Sequence, residues 1–112
     1  MKNPKHVQFI RELPCVITLM DAGVQPHHLM RDDMGRIIRG MGKRAGDQFC
    51  IPLHHKRHDD LHNCGDEVGY LEKSGILYPV ELSLILFDHT GDHEFCERVI
   101  RAWNIDKRRN DR

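Results

Sequence analysis

Between Pro52 and Gly65 the chain reads Leu53-His54-His55-Lys56-Arg57-His58-Asp59-Asp60-Leu61-His62-Asn63-Cys64, with His58 and His62 four residues apart. Pro52 closes the run before it and Gly65 is a natural stop, so the stretch is expected to be a helix beginning near Leu53. Residues four apart on a helix share a face, which brings both imidazoles within reach of one ion. A second cluster, His27-His28, lies upstream, and with His54 and His55 the two clusters hold six of the nine histidines. Histidine both binds transition metals and moves protons near neutral pH, so the doublet is placed to supply one more ligand and one base. Adjacent strand residues point to opposite faces, so a regular strand would turn only one of His27 and His28 toward the ion.

The elements around this helix follow from apolar spacing and breakers. Val7, Ile10 and Leu13 behind Pro4 predict a short amphipathic helix. Leu13-Pro14-Cys15-Val16-Ile17 predicts a break and then a brief β segment, because β-branched residues follow the proline. A turn at Asp21, Ala22 and Gly23 leads into a strand over Val24 to Leu29 that carries the doublet. Residues 35 to 46, with four glycines among basic side chains, predict an exposed loop. Phe49 to Leu53 predicts a second short strand ended by Pro52. Asp66 to Ser74 predicts a helix capped by Asp66, and Pro79 to Phe87 and His93 to Trp103 predict two more with apolar faces.

A length of 112 residues fits one domain with one modest core: residues 13–64 holding the histidines and 66–106 a C-terminal helical part. The 17 basic and 17 acidic residues cancel, so no global field draws the protein to nucleic acid or membrane. Charge is uneven locally: Arg31, Arg36, Arg39, Lys43 and Arg44 form one basic stretch, and Lys107, Arg108, Arg109 and Arg112 another. Cys15, Cys50, Cys64 and Cys96 are scattered without a C-x-x-C pair, and from their composition neither the segment Met1 to Arg11 is expected to act as a signal peptide nor any run to span a membrane. The expectation is a soluble cytoplasmic protein whose cysteines are buried thiols or metal ligands. His6, His89 and His93 are expected at the surface or as helix caps, and His55 on the far side of the helix from the metal pair.

The string Lys56-Arg57-His58-Asp59-Asp60-Leu61-His62 resembles the metal-binding helix of the HNH, or His-Me finger, nucleases, and His27-His28 resembles their upstream doublet. From Phe9 to Ile76 the pattern Leu13-Pro14-Cys15, His28, Gly40-Met41-Gly42, Asp47, Pro52-Leu53, His58-Asp59, Leu61-His62, Gly65-Asp66-Glu67 and Gly75-Ile76 is similar to phage and prophage HNH-like proteins. These are related to the recombinase-dependent, recombination-promoting nuclease. The resemblance implies an α+β fold: a small ββα-metal core with flanking N-terminal and C-terminal helices. It implies that His28 is the general base, that His27, His58 and His62 are metal ligands, and that Asp47 stands near the position of the asparagine that orients the base.

Three imidazoles favour one borderline divalent metal, zinc or nickel, with magnesium or manganese open for turnover. Arg36, Arg39, Lys43, Arg44, Lys56 and Arg57 would track a DNA backbone without reading sequence. The implied function is a metal-dependent DNA endonuclease of phage or prophage type acting in recombination or replication in a bacterial host. A recombinase filament or other phage replication protein is its expected partner, because a neutral chain binds DNA weakly alone.

The chain departs from the family in two places. No asparagine occupies the orienting position. At the sites of a structural zinc found in many relatives it has Cys15, Thr18, His54 and Arg57, so only Cys15 and His54 remain as potential ligands. That zinc is expected to be lost or rebuilt, with Cys50 or Cys64 as substitutes. These departures support an alternative, a non-catalytic DNA-binding or protein-interaction module stabilised by the same metal.

Overall fold

The computed structural model describes residues 2–38 and 46–105. Among these residues five helices and one two-stranded sheet follow the order α1 (Pro4–Arg11), β1 (Val24–His28), a 3-10 turn (Asp47–Phe49), β2 (Cys50–His54), α2 (His55–Cys64), α3 (Glu67–Lys73), α4 (Pro79–Asp88) and α5 (His93–Trp103). The architecture is mixed α+β. None of these helices is long and apolar enough to cross a membrane.

The strands are antiparallel in the register Val24↔His54 to His28↔Cys50, which sets Pro26 opposite Pro52. Just beyond the ladder Leu29 N donates to Phe49 O at 2.8 Å. Hydrogen-bonded and non-bonded pairs alternate, so the proline pair falls where neither strand needs an N–H from the other. That is why β2 continues through Pro52 to His54 instead of stopping at the proline, and why the helix starts at His55 rather than Leu53. His54 caps α2, its Nδ1 accepting from Lys56 N at 3.3 Å. At the other end Gly65 takes φ of +74° and its N–H returns to Leu61 O, a left-handed stop that favours glycine.

The segment expected to extend as a strand after Pro14 instead turns. Cys15 N bonds Met20 O at 2.9 Å, Leu19 N bonds Cys15 O at 2.7 Å, and Leu19 adopts a positive φ of 61°. The β-branched Val16 and Ile17 are buried by this turn, and Val16 N donates to Pro52 O at 3.0 Å. The three helices expected after Gly65 occur where spacing and caps place them. Asp66 caps α3 through Gly69 N and Asp92 caps α5 through Phe95 N, while Asp33 reaches from the β1 side to Val80 N at the start of α4.

One apolar cluster joins these pieces: Phe9, Ile10 and Leu13, Val16 and Ile17, Ile51 and Leu53, Leu61, Leu71, Leu82, Leu86 and Ile100. Asn104, buried after α5, donates to Val16 O and Ile17 O at 3.0 and 3.1 Å, tying the end of the described chain to its first turn. α1, α4 and α2 all pack against the strands, and four of the five β2 residues are buried. His6 is also buried, contrary to the expected surface position. It lies one helical turn before Phe9 and Ile10 on the inward face of α1, with Nδ1 2.7 Å from Thr90 Oγ1 and its ring edge-on to Phe87.

Candidate functional site

The sequence places His27 on β1 and His58 and His62 one turn apart on α2, and packing α2 across the strands brings the three together. One ligand atom from each lies within 4.8 Å of the other two. His58 Nε2 and His62 Nε2 are 3.3 Å apart. Two nitrogens bound about 2.0–2.1 Å from one tetrahedral ion are separated by about 3.3–3.4 Å, so this pair already stands at ligand spacing. The His27 ring meets both edge-on, with centroids 5.2 Å from His58 and 5.8 Å from His62. His27 is buried, His58 half-buried and His62 exposed, so the cluster opens to solvent along one side.

Glu67, at the first turn of α3, completes this arrangement. Its buried carboxylate accepts from His27 Nε2 at 2.8 Å, from Met30 N at 3.1 Å and from Arg31 N at 2.9 Å. An ionised carboxylate only accepts, so His27 carries its proton on Nε2 and leaves Nδ1 as the lone-pair nitrogen. That Nδ1 is buried without a hydrogen-bond partner. An orphaned buried acceptor beside two converging imidazoles is what a metal ligand looks like before the ion is added. The chemistry of the set fits a borderline divalent ion. Burial lowers the pKa of His58 first, and His27, His62 and more weakly His28 push the same way against Asp59. The neutral, metal-binding form of His58 is thereby favoured.

His28, the next residue of β1, has partners of its own and lies close enough to the cluster to act electrostatically on His58. Its Nε2 is 2.8 Å from Asp47 Oδ1, and the second carboxylate oxygen of Asp47 accepts from Asn3 N at 2.6 Å. Asp47 is buried on the 3-10 turn just before β2, and His28 is the last residue of β1, so the pairing of the strands brings the two side chains together. The opposite ring nitrogen, Nδ1, makes no hydrogen bond among the described residues. Cys50 lies directly across from His28 in the register, and its thiol converges with the ligand atoms of His28 and Asp47 within 4.8 Å.

The remaining candidate residues are dispersed. Arg36 is exposed and pairs with Asp32 at 3.2 Å, and Lys56 is exposed at the start of α2. Arg57 is half-buried beside the Tyr70 hydroxyl, which with Asp60 and Cys15 raises its pKa. Arg39, Lys43 and Arg44, most of the glycine loop, and the basic run from Lys107 lie outside the described residues. Cys15 and His54 join no three-ligand group among the described residues: the Cys15 thiol accepts from Thr18 N, His54 caps α2, and Cys64 is exposed. Cys50 lies with His28 and Asp47 in a group of three potential ligands.

Sequence reasoning did not place Glu67 beside His27, and it offered Cys50 as a substitute ligand for the structural zinc rather than as a neighbour of His28. Glu67 acts across 40 residues, and its only local signal is an acid in the first turn of α3. Cys50 becomes visible once the register is known, because it then faces the histidine proposed as the base.

A family model described as "Protein of unknown function (DUF968)" matches residues 1–89, and the chain belongs to that family. Over 71 residues the chain is 37% identical to the uncharacterized protein YdfU of Escherichia coli (strain K12). That stretch is 63% of this chain and 18% of the relative, so the chain spans less than a fifth of the protein it matches. No solved structure matches.

Proposed function

We propose that this DUF968 member is a metal-dependent DNA endonuclease built on a ββα-metal core, in which His27, His58 and His62 hold one divalent ion and His28 is the general base. The observation that carries the reading is the pairing of two separate groups on one short scaffold: a three-imidazole cluster with an orphaned nitrogen, and a histidine fixed on a buried carboxylate beside it.

When bound, the ion supplies positive charge to the scissile phosphate and to the leaving oxygen. The protein supplies the rest. Asp47 accepts the Nε2 proton of His28 and so keeps Nδ1 unprotonated, ready to take a proton from the attacking water. As that proton arrives the imidazole becomes cationic, and the Asp47 carboxylate stabilises it. Asp47 therefore does the orienting work of the asparagine in the resembled nucleases, with a negative charge added. Glu67 holds His27 in the tautomer that presents Nδ1. The solvent-facing side of the cluster, at His62, leaves room for a phosphate to approach. Lys56 at the exposed start of α2 is placed to meet a DNA backbone.

The test is relaxation of supercoiled plasmid by the purified chain with magnesium, manganese, nickel or zinc, read by gel. The expected result is metal-dependent nicking that His58→Ala abolishes together with metal binding. Tight metal binding with no nicking under any of these ions would favour the non-catalytic module.

A further inference from the structure

We propose that His28, Asp47 and Cys50 form a second metal site, suited to zinc, whose occupation switches the base off. The site follows from the strand register. Residues directly opposite in an antiparallel pair project to the same face, so Cys50 stands beside His28, and the 3-10 turn preceding β2 adds Asp47. The three ligand atoms lie within 4.8 Å of one another. Cys50 and Asp47 are buried, and the His28 side chain, 15% exposed, gives the approach from solvent.

The donor set separates this site from the three-histidine cluster. Thiolate, imidazole and carboxylate together select zinc or cobalt over magnesium, and three protein ligands leave a fourth position for water. His28 Nε2 and Asp47 Oδ1 are 2.8 Å apart, closer than the roughly 3.3 Å of two ligands on one tetrahedral ion. Opening by about half an ångström converts a hydrogen bond into two coordinate bonds.

Proton balance explains the consequence. Binding releases the Cys50 thiol proton to solvent, and metal on Nε2 leaves the single proton of neutral His28 on Nδ1. Nδ1 is the nitrogen that must be unprotonated to activate water, so the loaded site disables the base by its tautomer. The inhibitory half rests on the nuclease reading, whereas the site itself does not.

The test is cobalt titration of the full chain carrying Cys64→Ser, which removes the exposed thiol. Two equivalents are expected, one of them with a thiolate-to-cobalt charge-transfer band in the near ultraviolet. Cys50→Ala should bind one equivalent without the band, and His58→Ala should lose the other equivalent and keep the band. A single equivalent in the parent, or a band that survives Cys50→Ala, overturns the site. Far-ultraviolet circular dichroism checks folding. If Cys50→Ala does not fold, Asp47→Asn decides, expected to weaken the thiolate-bound equivalent at least about tenfold, with unchanged affinity overturning the site.

For the switch, zinc should inhibit manganese-supported nicking at lower concentration in the parent than in Cys50→Ala, where it can act only by displacing manganese from the three-histidine cluster. Equal inhibition of both overturns the switch. Two equivalents with no nicking in any metal would uphold the site and overturn the nuclease reading.

Discussion

Replacing Glu67 by glutamine isolates the contact that prepares the three-histidine cluster. The native carboxylate serves His27 Nε2, Met30 N and Arg31 N, and the His27 and Glu67 side chains are 1% and 2% exposed. Glu67→Ala would strip the acceptor from all three donors. A buried donor left unsatisfied costs about 1–3 kcal/mol, the His27 N–H at the high end and the two partly exposed backbone groups at the low end, for about 5 kcal/mol in all. Against a typical total of about 5–15 kcal/mol that loss threatens the fold. The glutamine variant avoids this, because its amide oxygen still accepts one or two of the bonds, and it should cost about 1–2 kcal/mol.

What Glu67→Gln loses is the charge that fixes the His27 tautomer, and a partner of that kind is worth about 10–100-fold in metal affinity. Isothermal titration with zinc, beside urea unfolding of the metal-free protein, measures both quantities. Glu72→Gln, on the exposed side of α3, is the control and should change neither. A folded Glu67→Gln protein that binds zinc within about twofold of wild type would refute the role assigned to this carboxylate.

Other expectations are as direct. Asp47→Asn keeps an acceptor for His28 Nε2 and should nick within about tenfold of wild type, whereas Asp47→Ala should fall by about 100-fold or more, measured by single-turnover nicking. Burial lowers the pKa of both His6 and His58, so the unfolded chain takes up their protons first as pH falls through the ordinary histidine range of about 6.5. The metal-free protein should therefore be more stable above this range and lose stability below it; a urea midpoint at pH 5.5 equal to or above that at pH 7.5 would contradict this. Gly23 has φ of +71°, and a Cβ there would come within 3.0 Å of His55 Nδ1 and 3.1 Å of His54 Nε2. Gly23→Ala should cost about 1–2 kcal/mol by thermal unfolding, more than Gly65→Ala, where only backbone strain is added.

What the sequence made legible was local. The helices after Gly65 are set by Asp66, Pro79 and Asp92 at their starts, and the spacing of His58 and His62 needs only a helix to become a shared face. The turn at 15–20 was hidden because β-branched Val16 and Ile17 favour extension, while a tertiary bond to Pro52 O and the positive φ of Leu19 decide otherwise. Pro52 suggested a strand end because only the register places it opposite Pro26, where its missing N–H costs nothing. His6 was legible in part, since it shares the inward spacing of Phe9 and Ile10, yet its polarity argued for the surface. Glu67 and Cys50 reach the site through strand pairing and helix packing, over separations that no local pattern encodes.

The central claim is that His28 moves a proton while three other histidines hold the metal. Its most direct test is single-turnover plasmid nicking by His28→Ala at saturating metal, with metal affinity measured on the same preparation. The account predicts a rate lower by about 100- to 10,000-fold with metal affinity within a few-fold of wild type. Nicking at the wild-type rate by His28→Ala, with metal still bound, would contradict it.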